Sequence, residues 1–252
     1  MLNANLALIV PFLLVMCRVA GTVSLLPGLG EADAPVLVRA SLATALAILL
    51  TPTVAPLFAS RMPDIADLGR LIASELLIGM LIGWLARVAA LALPIAGQVI
   101  SLMTGLSSVL QPDPALGAQS AVIGRLFGLF VPVLLLTTGL YAMPLAALAH
   151  SYTVLPPGQA LTGADALQAA LAATGNAMTV ALGLAAPFIL VGLVWQVALG
   201  LLSRLVPQLQ IYFAALPGQV LGGLALVALL AGACADSAIE AMRAAFAALP
   251  AG

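Results

Sequence analysis

The side chains that could act as a general base or a nucleophile are few and scattered. His150, the single histidine, is followed directly by Ser151 and Tyr152, but no carboxylate lies near it in the sequence to orient its ring. A histidine without such a partner is a weak candidate for a general base. The two cysteines, Cys17 and Cys234, lie far apart in apolar runs. That position predicts small buried side chains rather than a metal site or a disulfide framework.

Other catalytic patterns are missing from the sequence. The carboxylates do not gather at a spacing that would hold Mg²⁺ and a diphosphate substrate. No Gly-x-Ser-x-Gly nucleophile elbow is present. We therefore predict no catalytic residue, no cofactor and no metal site, and a protein that is not an enzyme.

Three charged side chains, Arg18, Glu75 and Arg87, lie inside apolar runs, where ionisable groups are costly and mark a function or a pairing. Glu75 and Arg87 are about 18 Å apart along a helix that rises about 1.5 Å per residue, so they do not pair directly. Gly79 and Gly83 lie between them at four-residue intervals and predict close approach of another helix.

We call Arg18, Glu75, Gly79, Gly83 and Arg87 the polar seam. Two interpretations of the polar seam stay open from the residues alone. It faces a neighbouring subunit or a wet pore, or it forms an internal ion pair with other helices and ordinary small-residue packing.

The composition excludes two broad classes of protein. Charged residues make up 7% of the 252-residue chain and apolar residues 63%, too few polar groups to cover a soluble domain. All eight basic residues are arginines, and the net charge is −1. A nucleic-acid-binding protein, which depends on many phosphate contacts, is therefore excluded as well.

The elements that position these residues are apolar segments of helical type. Continuous runs of about 20 apolar residues predict membrane-spanning helices rather than a barrel. We count about six, at 6–26, 36–58, 68–93 (continuing past Pro94 toward Leu110), 123–148, 177–203 and 211–235. The arginines do not sort to one side of these segments. Either the count is wrong or the segments do not all lie in the bilayer as ordinary spans.

Prolines and two flanking segments add detail to this pattern. Bent or broken helices are predicted by the prolines inside the apolar runs: Pro11, Pro94, Pro132, Pro144 and Pro187. Thr162, with Asp165 three residues later, predicts a capped short helix. The C-terminal residues predict an amphipathic helix, with one apolar and one charged face: Ile239, Met242, Phe246 and Leu249 opposite Asp236, Glu240 and Arg243. Its apolar face either lies on a membrane or a partner, or packs on its own chain.

Ordered short motifs along nearly the whole chain resemble one known family. They are Arg18-Val-Ala-Gly21, Leu26-Pro-Gly-Leu-Gly30, Pro35, Val38-Arg39, Pro52, Pro56, Glu75 with Gly79 and Gly83, Ala96-Gly97, Gly105, Asp113-Pro114, His150-Ser-Tyr152, Pro156-Pro-Gly158, the segment 200–213 (GLLSRLVPQLQIYF) and Leu216-Pro217. In order and spacing they resemble the FliR/SctT family of type III export-gate subunits. Segment 204–213 favours the flagellar branch over the injectisome branch. Gln210 stands where the family usually has Asn, and Gln219 where a Lys often follows the last Pro.

The resemblance implies a non-enzymatic pore and scaffold subunit of the flagellar type III protein export gate. Its implied partners are FliP- and FliQ-type gate subunits, FlhB- and FlhA-type export proteins, unfolded export substrates and the membrane, but no nucleic acid. Its implied place is the bacterial inner membrane within the flagellar basal body. The implied organisation is all-α and membrane-associated, with a FliP-like helical part at 1–176, a FliQ-like helical hairpin at 177–235 and an amphipathic tail at 236–252.

Two loops acquire possible roles from this resemblance. Family members place a loop from the region of residues 106–121 in the pore as a plug. Here that loop would use Val109, Leu110, Pro112, Asp113, Pro114 and Leu116. The alternative is a surface loop outside the pore. The turn of the hairpin has Arg204, Pro207, Gln208 and Gln210, which either contact the next export component or form a solvated loop.

A secondary transporter for a small solute is the alternative function. Polar groups within apolar segments and broken helices also occur in that class. Such a transporter is expected to show internal repeats around a midplane site, and we see no convincing repeat in the sequence. In mild detergent it should migrate alone or as a homo-oligomer, whereas a gate subunit should co-purify with two other small membrane proteins.

Overall fold

The computed structural model describes residues 2–30, 35–58, 65–106, 122–159, 162–205 and 211–249. Within these ranges the chain forms seven α-helices and no strand, which confirms the predicted all-α class. The helices are α1 (Leu2–Leu25), α2 (Val36–Phe58), α3 (Ile65–Met103), α4 (Val122–Thr137), α5 (Ala142–Val154), α6 (Gly163–Leu205) and α7 (Ile211–Ala247).

Among the described helices, four are long and apolar enough to cross a membrane: α2, α3, α6 and α7. The pair α4 and α5 adds a fifth if the two bent helices count as one span. The first predicted segment corresponds to α1. Its side chains are described from Ile9 onward, and Ile9–Leu25 is shorter than the other spans. The described residues thus give four or five spans, one or two fewer than the six that the apolar runs predicted.

In the part of the chain that the structure describes, the sharp break within a predicted span lies at a glycine rather than at a proline. Helices α4 and α5 meet at an angle of 69°, and Gly139 between them has a φ of 70°, a left-handed conformation that glycine adopts without steric cost. The predicted span 123–148 is thus a bent pair of helices, as expected of a broken span, but the break lies at Gly139 rather than at Pro132 or Pro144. Pro144 lies in the first turn of α5, where a missing N–H removes no helical hydrogen bond. Helices α3 and α6 continue through Pro94 and Pro187.

The chain divides into two compact units built from interleaved stretches. Unit 1 comprises Met1–Ala90, Leu134–Gly175 and Arg243–Gly252, and unit 2 comprises Leu91–Val133 and Asn176–Met242. The predicted parts 1–176, 177–235 and 236–252 are defined by likeness to other subunits, not by compactness. The two units do not test them, and they stay a prediction.

Each unit has its own core. In unit 1, α1 packs against α2, and buried side chains of α1, α3 and α5 include Val19, Ile82 and Leu148. Apolar burial is the main source of their stability. The core of unit 2 is formed by Ile100, Ile123, Ala185 and Phe188, with partly buried Leu226 and Leu230 packed against it.

Both predicted flanking segments are parts of longer helices. Thr162 Oγ1 accepts a hydrogen bond of 3.3 Å from the backbone N–H of Asp165, and its hydroxyl donates to the Asp165 carboxylate. The cap is as predicted, but it begins the 43-residue α6 rather than a short helix. The C-terminal segment continues α7 without a break to Ala247. Met242, Phe246 and Leu249 are buried within this chain, while Asp236, Glu240 and Arg243 are exposed.

Candidate functional site

The guanidinium of Arg18 is the centre of a buried polar cluster in unit 1. Its Nε donates to Glu75 Oε2 at 2.7 Å, and its Nη2 donates to Glu75 Oε1 at 3.0 Å. Both side chains are 0% exposed. This two-point geometry is the strong form of the arginine–carboxylate pair, because two parallel hydrogen bonds fix both orientation and distance.

The remaining contacts of Arg18 go to the C-terminal end of α5. Its Nη1 donates to Ser151 Oγ at 3.1 Å, and its Nη2 donates to the Leu155 carbonyl at 3.1 Å. Ser151 in turn donates to the Leu148 carbonyl at 2.6 Å. The ring centroid of Tyr152 lies 4.1 Å from the guanidinium carbon, which is cation–π distance. We call Arg18, Glu75, Ser151, Tyr152 and the Leu155 carbonyl the Arg18 cluster.

The position of Leu155 explains why a cation is suited to this place. α5 ends at Val154, and Leu155 follows as its C-terminal cap. The last carbonyls of a helix have no partner within the helix and form the negative end of its dipole. Arg18 therefore satisfies a carbonyl of α5 while its charge is balanced by Glu75 from α3. The Arg18 cluster joins three helices that are distant in sequence.

The glycines of the polar seam allow α1 and α3 to approach closely. A Cβ added to Gly83 would lie 2.5 Å from the Thr22 carbonyl oxygen, and one added to Gly79 would clash with the Arg18 carbonyl. From α1, Gly21 has the same property, since its Cβ would lie 2.8 Å from the Leu76 carbonyl oxygen. Thr22 Oγ1 donates to the Gly79 carbonyl at 3.0 Å across the same contact.

The structure thus places most of the polar seam inside one chain. Glu75 pairs with Arg18, and Gly79 and Gly83 lie against α1 of the same unit. This is the arrangement of an internal ion pair with small-residue packing, the second of the two interpretations that the sequence left open. Arg87 lies outside the Arg18 cluster and is half-buried.

The other predicted sites lie largely outside the described residues. Val109, Leu110, Pro112, Asp113, Pro114 and Leu116 of the plug loop, and Pro207, Gln208 and Gln210 of the hairpin turn, belong to these undescribed segments. Arg204 is exposed in the last turn of α6. The roles of these residues stay predictions.

The groups considered for catalysis belong to both units, His150 and Cys17 to unit 1 and Cys234 to unit 2. His150 is exposed, and its Nδ1 lies 3.1 Å from the hydroxyl of Thr153, which also donates to the His150 carbonyl. Cys17 and Cys234 are free thiols of intermediate exposure. No group of three His, Cys, Asp or Glu side chains suited to a metal ion occurs in the part that the structure describes.

Sequence reasoning singled out Arg18 and Glu75 but not the partners that Arg18 has at the C-terminal end of α5. The contacts of Arg18 to Glu75 and to Ser151 span 57 and 133 residues, and no spacing rule predicts a contact over such a distance. The available signal was chemical: a buried arginine needs several acceptors, because its five N–H groups are all donors. In the sequence, Ser151 and Tyr152 are singled out as neighbours of His150 and as part of a family motif, but not as partners of Arg18.

Comparison with known proteins identifies similar chains. The family described as "Bacterial export proteins, family 1" matches residues 9–245. The flagellar biosynthetic protein FliR of Caulobacter vibrioides is 33% identical over 216 residues, which cover 86% of each chain. FliR of Escherichia coli is 29% identical over 216 residues, 85% of this chain and 82% of that protein. FliR of Bacillus subtilis is 28% identical over 162 residues, 63% of this chain and 61% of its own length.

Proposed function

This chain belongs to the FliR/SctT family of bacterial export proteins and is a flagellar export component, and from that premise we propose that it is a non-enzymatic pore and scaffold subunit of the flagellar type III export gate. In this proposal it assembles with FliP- and FliQ-type subunits and contacts FlhB- and FlhA-type export proteins. The assembly lies at the bacterial inner membrane within the flagellar basal body and passes unfolded flagellar proteins.

The observation that carries the proposal is the apolar surface that unit 2 leaves uncovered. The most apolar stretch of α7 has none of its residues buried. On α6, large apolar side chains recur on one face at helical spacing and are 60–66% exposed: Leu190, Val194, Val197 and Leu201. A continuous apolar face of this kind requires protein or lipid to cover it, as expected of a subunit that is completed by its neighbours.

The described polar groups support a structural role. In the Arg18 cluster the charges of Arg18 and Glu75 neutralise each other, and the remaining donors of Arg18 have backbone and hydroxyl acceptors. A catalytic group has to meet a substrate, whereas these two side chains are 0% exposed. Their arrangement is that of a support for the helices around them.

Co-purification tests the proposed assembly. The chain is expressed with a tag together with FliP- and FliQ-type proteins, extracted in mild detergent and separated by gel filtration. A gate subunit is expected to elute in a large particle that contains both other proteins. Elution of the tagged chain alone, or as a homo-oligomer, would overturn the proposal and favour a secondary transporter.

The second part of the proposal concerns the loop between α3 and α4. Pro112 and Pro114 flank Asp113 in this loop, and prolines disfavour a regular helix. A connector between helices needs only about 2–8 residues, whereas residues 107–121 are a longer stretch. We propose that this loop blocks the closed channel, with Leu110 and Leu116 supplying apolar contacts that exclude water.

Electrical conductance tests the blocking role of this loop. Residues 107–117 are replaced by a short Gly-Ser linker, and purified complexes are inserted into planar bilayers. We expect the variant complex to assemble and to leak ions, while the wild-type complex stays closed. Equal and negligible conductance in both, with intact assembly, would remove the loop from the gate.

A further inference from the structure

Helices α6 and α7 line an open groove within unit 2. Its volume is ≈ 330 Å³, and its walls include Val180, Gly183 and Pro187 of α6 and Cys234, Ser237 and Ala241 of α7. These side chains are small, and nothing among the described residues lies within 4 Å of a Cβ added to Gly183. The groove can therefore accept a large side chain while both helices keep their positions. We call it the α6–α7 groove.

The α6–α7 groove continues the exposed apolar face of α6. Gly183 and Pro187 are both exposed. They precede Leu190 and Val194 at intervals of four, three and four residues, which is the spacing of a single helix face. The proposed function assigns that face to a neighbouring subunit, so the same neighbour is expected to extend over the groove.

The charged end of α7 indicates that protein rather than lipid fills the groove. The α7 wall extends to Ala241, and Asp236, Glu240 and Arg243 on this part of the helix are exposed. Exposed ionisable side chains are costly in the hydrocarbon of a bilayer. The apolar groove thus extends to a level from which acyl chains are excluded, and protein has to cover it there.

Two hydrogen-bond acceptors give the groove a preference for a donor. Pro187 has no N–H, so the carbonyl of Gly183, four residues earlier, loses its usual helical donor, and neighbouring helices can satisfy such a carbonyl. Both residues line the groove. Glu240 follows Ser237 by three residues and shares its side of α7. Arg243 does not, because six residues turn a helix by about 240°.

We propose that the α6–α7 groove receives a basic side chain from a helix of a neighbouring gate subunit. The aliphatic stem of a lysine or arginine packs against the apolar walls, and its charged tip reaches the Gly183 carbonyl and the Glu240 carboxylate. Long basic side chains commonly cover apolar surface in this way. The presence of the neighbour rests on the proposed function, and the inference adds the chemistry of that partner: an apolar helix with a basic residue.

Filling the groove tests its role in assembly. The tagged chain is expressed with FliP- and FliQ-type proteins, and their recovery is measured by pull-down from mild detergent. We expect Gly183→Leu to lower this recovery about fivefold or more, as overpacking of an interface implies, with an unchanged melting temperature of the chain alone. Gly175→Leu is the matched control, because Gly175 is also exposed on α6 and its added Cβ has nothing within 4 Å.

The wild type separates failure of the inference from failure of the proposed function. If the wild-type chain recovers both partners and Gly183→Leu recovers them equally well, the role of the groove is overturned while the proposed function stands. If the wild-type chain recovers neither partner, the proposed function is overturned and the inference with it.

Charge reversal beside the groove tests the basic side chain. We expect Glu240→Lys to lower partner recovery about fivefold or more, because like charges in contact are strongly disfavoured, and Glu240→Gln to have a smaller effect. Asp67→Lys is the control, at an exposed carboxylate of α3. Wild-type recovery with Glu240→Lys would overturn the basic side chain as the occupant, even if Gly183→Leu blocks assembly.

Cys234 reports directly whether the groove is filled. It is a free thiol in the wall of the groove, and Cys17→Ser makes it the single thiol of the chain. We expect N-ethylmaleimide to modify Cys234 about tenfold more slowly in the complex than in the chain alone, because a covered thiol is inert. Equal rates in the two samples would overturn the occupation of the groove by a partner.

Discussion

Units 1 and 2 differ in the side-chain contacts that hold their helices together. Unit 1 buries Arg18, Glu75 and Ser151 completely, and these side chains join α1, α3 and α5. Unit 2 has an apolar core around Phe188, and its helices leave many large apolar side chains exposed. Polar pairing therefore specifies the helix packing inside unit 1, whereas the core of unit 2 is apolar; both units leave large apolar side chains exposed for neighbouring molecules to cover.

A buried ion pair contributes more to specificity than to stability. Taking both charges out of water costs several kcal/mol each, by rough estimate, and their attraction repays this only when geometry and further hydrogen bonds are good. The Arg18 cluster meets that condition, since Arg18 has two bonds to Glu75 and two more to α5. Misplaced packing of α1 would leave a charge unpaired, so one arrangement is favoured over its competitors.

The largest effect is expected from breaking this pair. Arg18→Met leaves the Glu75 carboxylate buried without a partner, and removal of one partner of a buried pair costs about 3–5 kcal/mol. Thermal denaturation and the yield of folded, detergent-extracted protein measure the loss. The double variant Arg18→Met/Glu75→Met is the control and should recover most of the stability. A single variant as stable as the wild type would contradict the role of the Arg18 cluster.

A smaller effect is expected where α1 and α3 approach each other. In Gly83→Leu the new Cβ lies 2.5 Å from the Thr22 carbonyl oxygen, so the helices must separate at a cost of about 1–3 kcal/mol. We expect the chain to insert but to recover less of its partner subunits in a pull-down. Gly69→Leu on the same helix is the matched control, because nothing lies within 4 Å of a Cβ at that position. Equal recovery in both variants would argue against close packing as a requirement for assembly.

Unit 2 should respond in the opposite way, losing partners before it loses stability. Val194 is 64% exposed on α6, so Val194→Asn should change the free energy of unfolding by no more than about 0.5 kcal/mol. We expect the recovery of partner subunits to fall several-fold, because a polar group interrupts the apolar face. Leu199→Asn serves as the contrast, since Leu199 is buried on the same helix and should destabilise the chain itself. Unchanged recovery with Val194→Asn would indicate a face that is not an interface.

The smallest effect on folding is expected at the end of α6. Arg204 is exposed in its last turn, so Arg204→Ala should leave stability within about 0.5 kcal/mol of the wild type. Its guanidinium can hold carboxylates or helix C-termini of another protein, and we expect flagellar export and motility to decrease. Arg243→Ala, at another exposed arginine, is the comparison. Wild-type export at normal complex levels would identify the turn as a solvated loop.

Local patterns in the sequence predicted some elements accurately. The bounds of α2 match the predicted 36–58 to the residue, because a continuous apolar run follows Pro35 there. The cap at Thr162 was also recognised. The length of α6 was underestimated, since the predicted segment began at residue 177. Residues 163–176 are rich in alanine, which favours helix without making a strongly apolar segment. The break at Gly139 lies within apolar sequence, so hydropathy carries no sign of it.

Long-range contacts were less accessible to sequence reasoning. Arg18 and Glu75 were both recognised as out of place in apolar runs, but neither interpretation of the polar seam named the two as partners. Gln219 was noted only as a departure from the lysine of the family, and its contact with Met103 follows no local spacing. Residues that meet across more than fifty positions are brought together by the fold, and short-range periodicity does not encode them.

The order in which the Arg18 cluster is synthesised has a kinetic consequence. At a translation rate of about 5–20 residues per second, Glu75 leaves the ribosome roughly 3–11 s after Arg18, and Ser151 roughly 7–27 s after it. During that interval Arg18 lies in an apolar helix without the acceptors to which it binds in the folded chain. Final placement of α1 is therefore expected to be a late event in biogenesis, completed only after most of the polypeptide has been made.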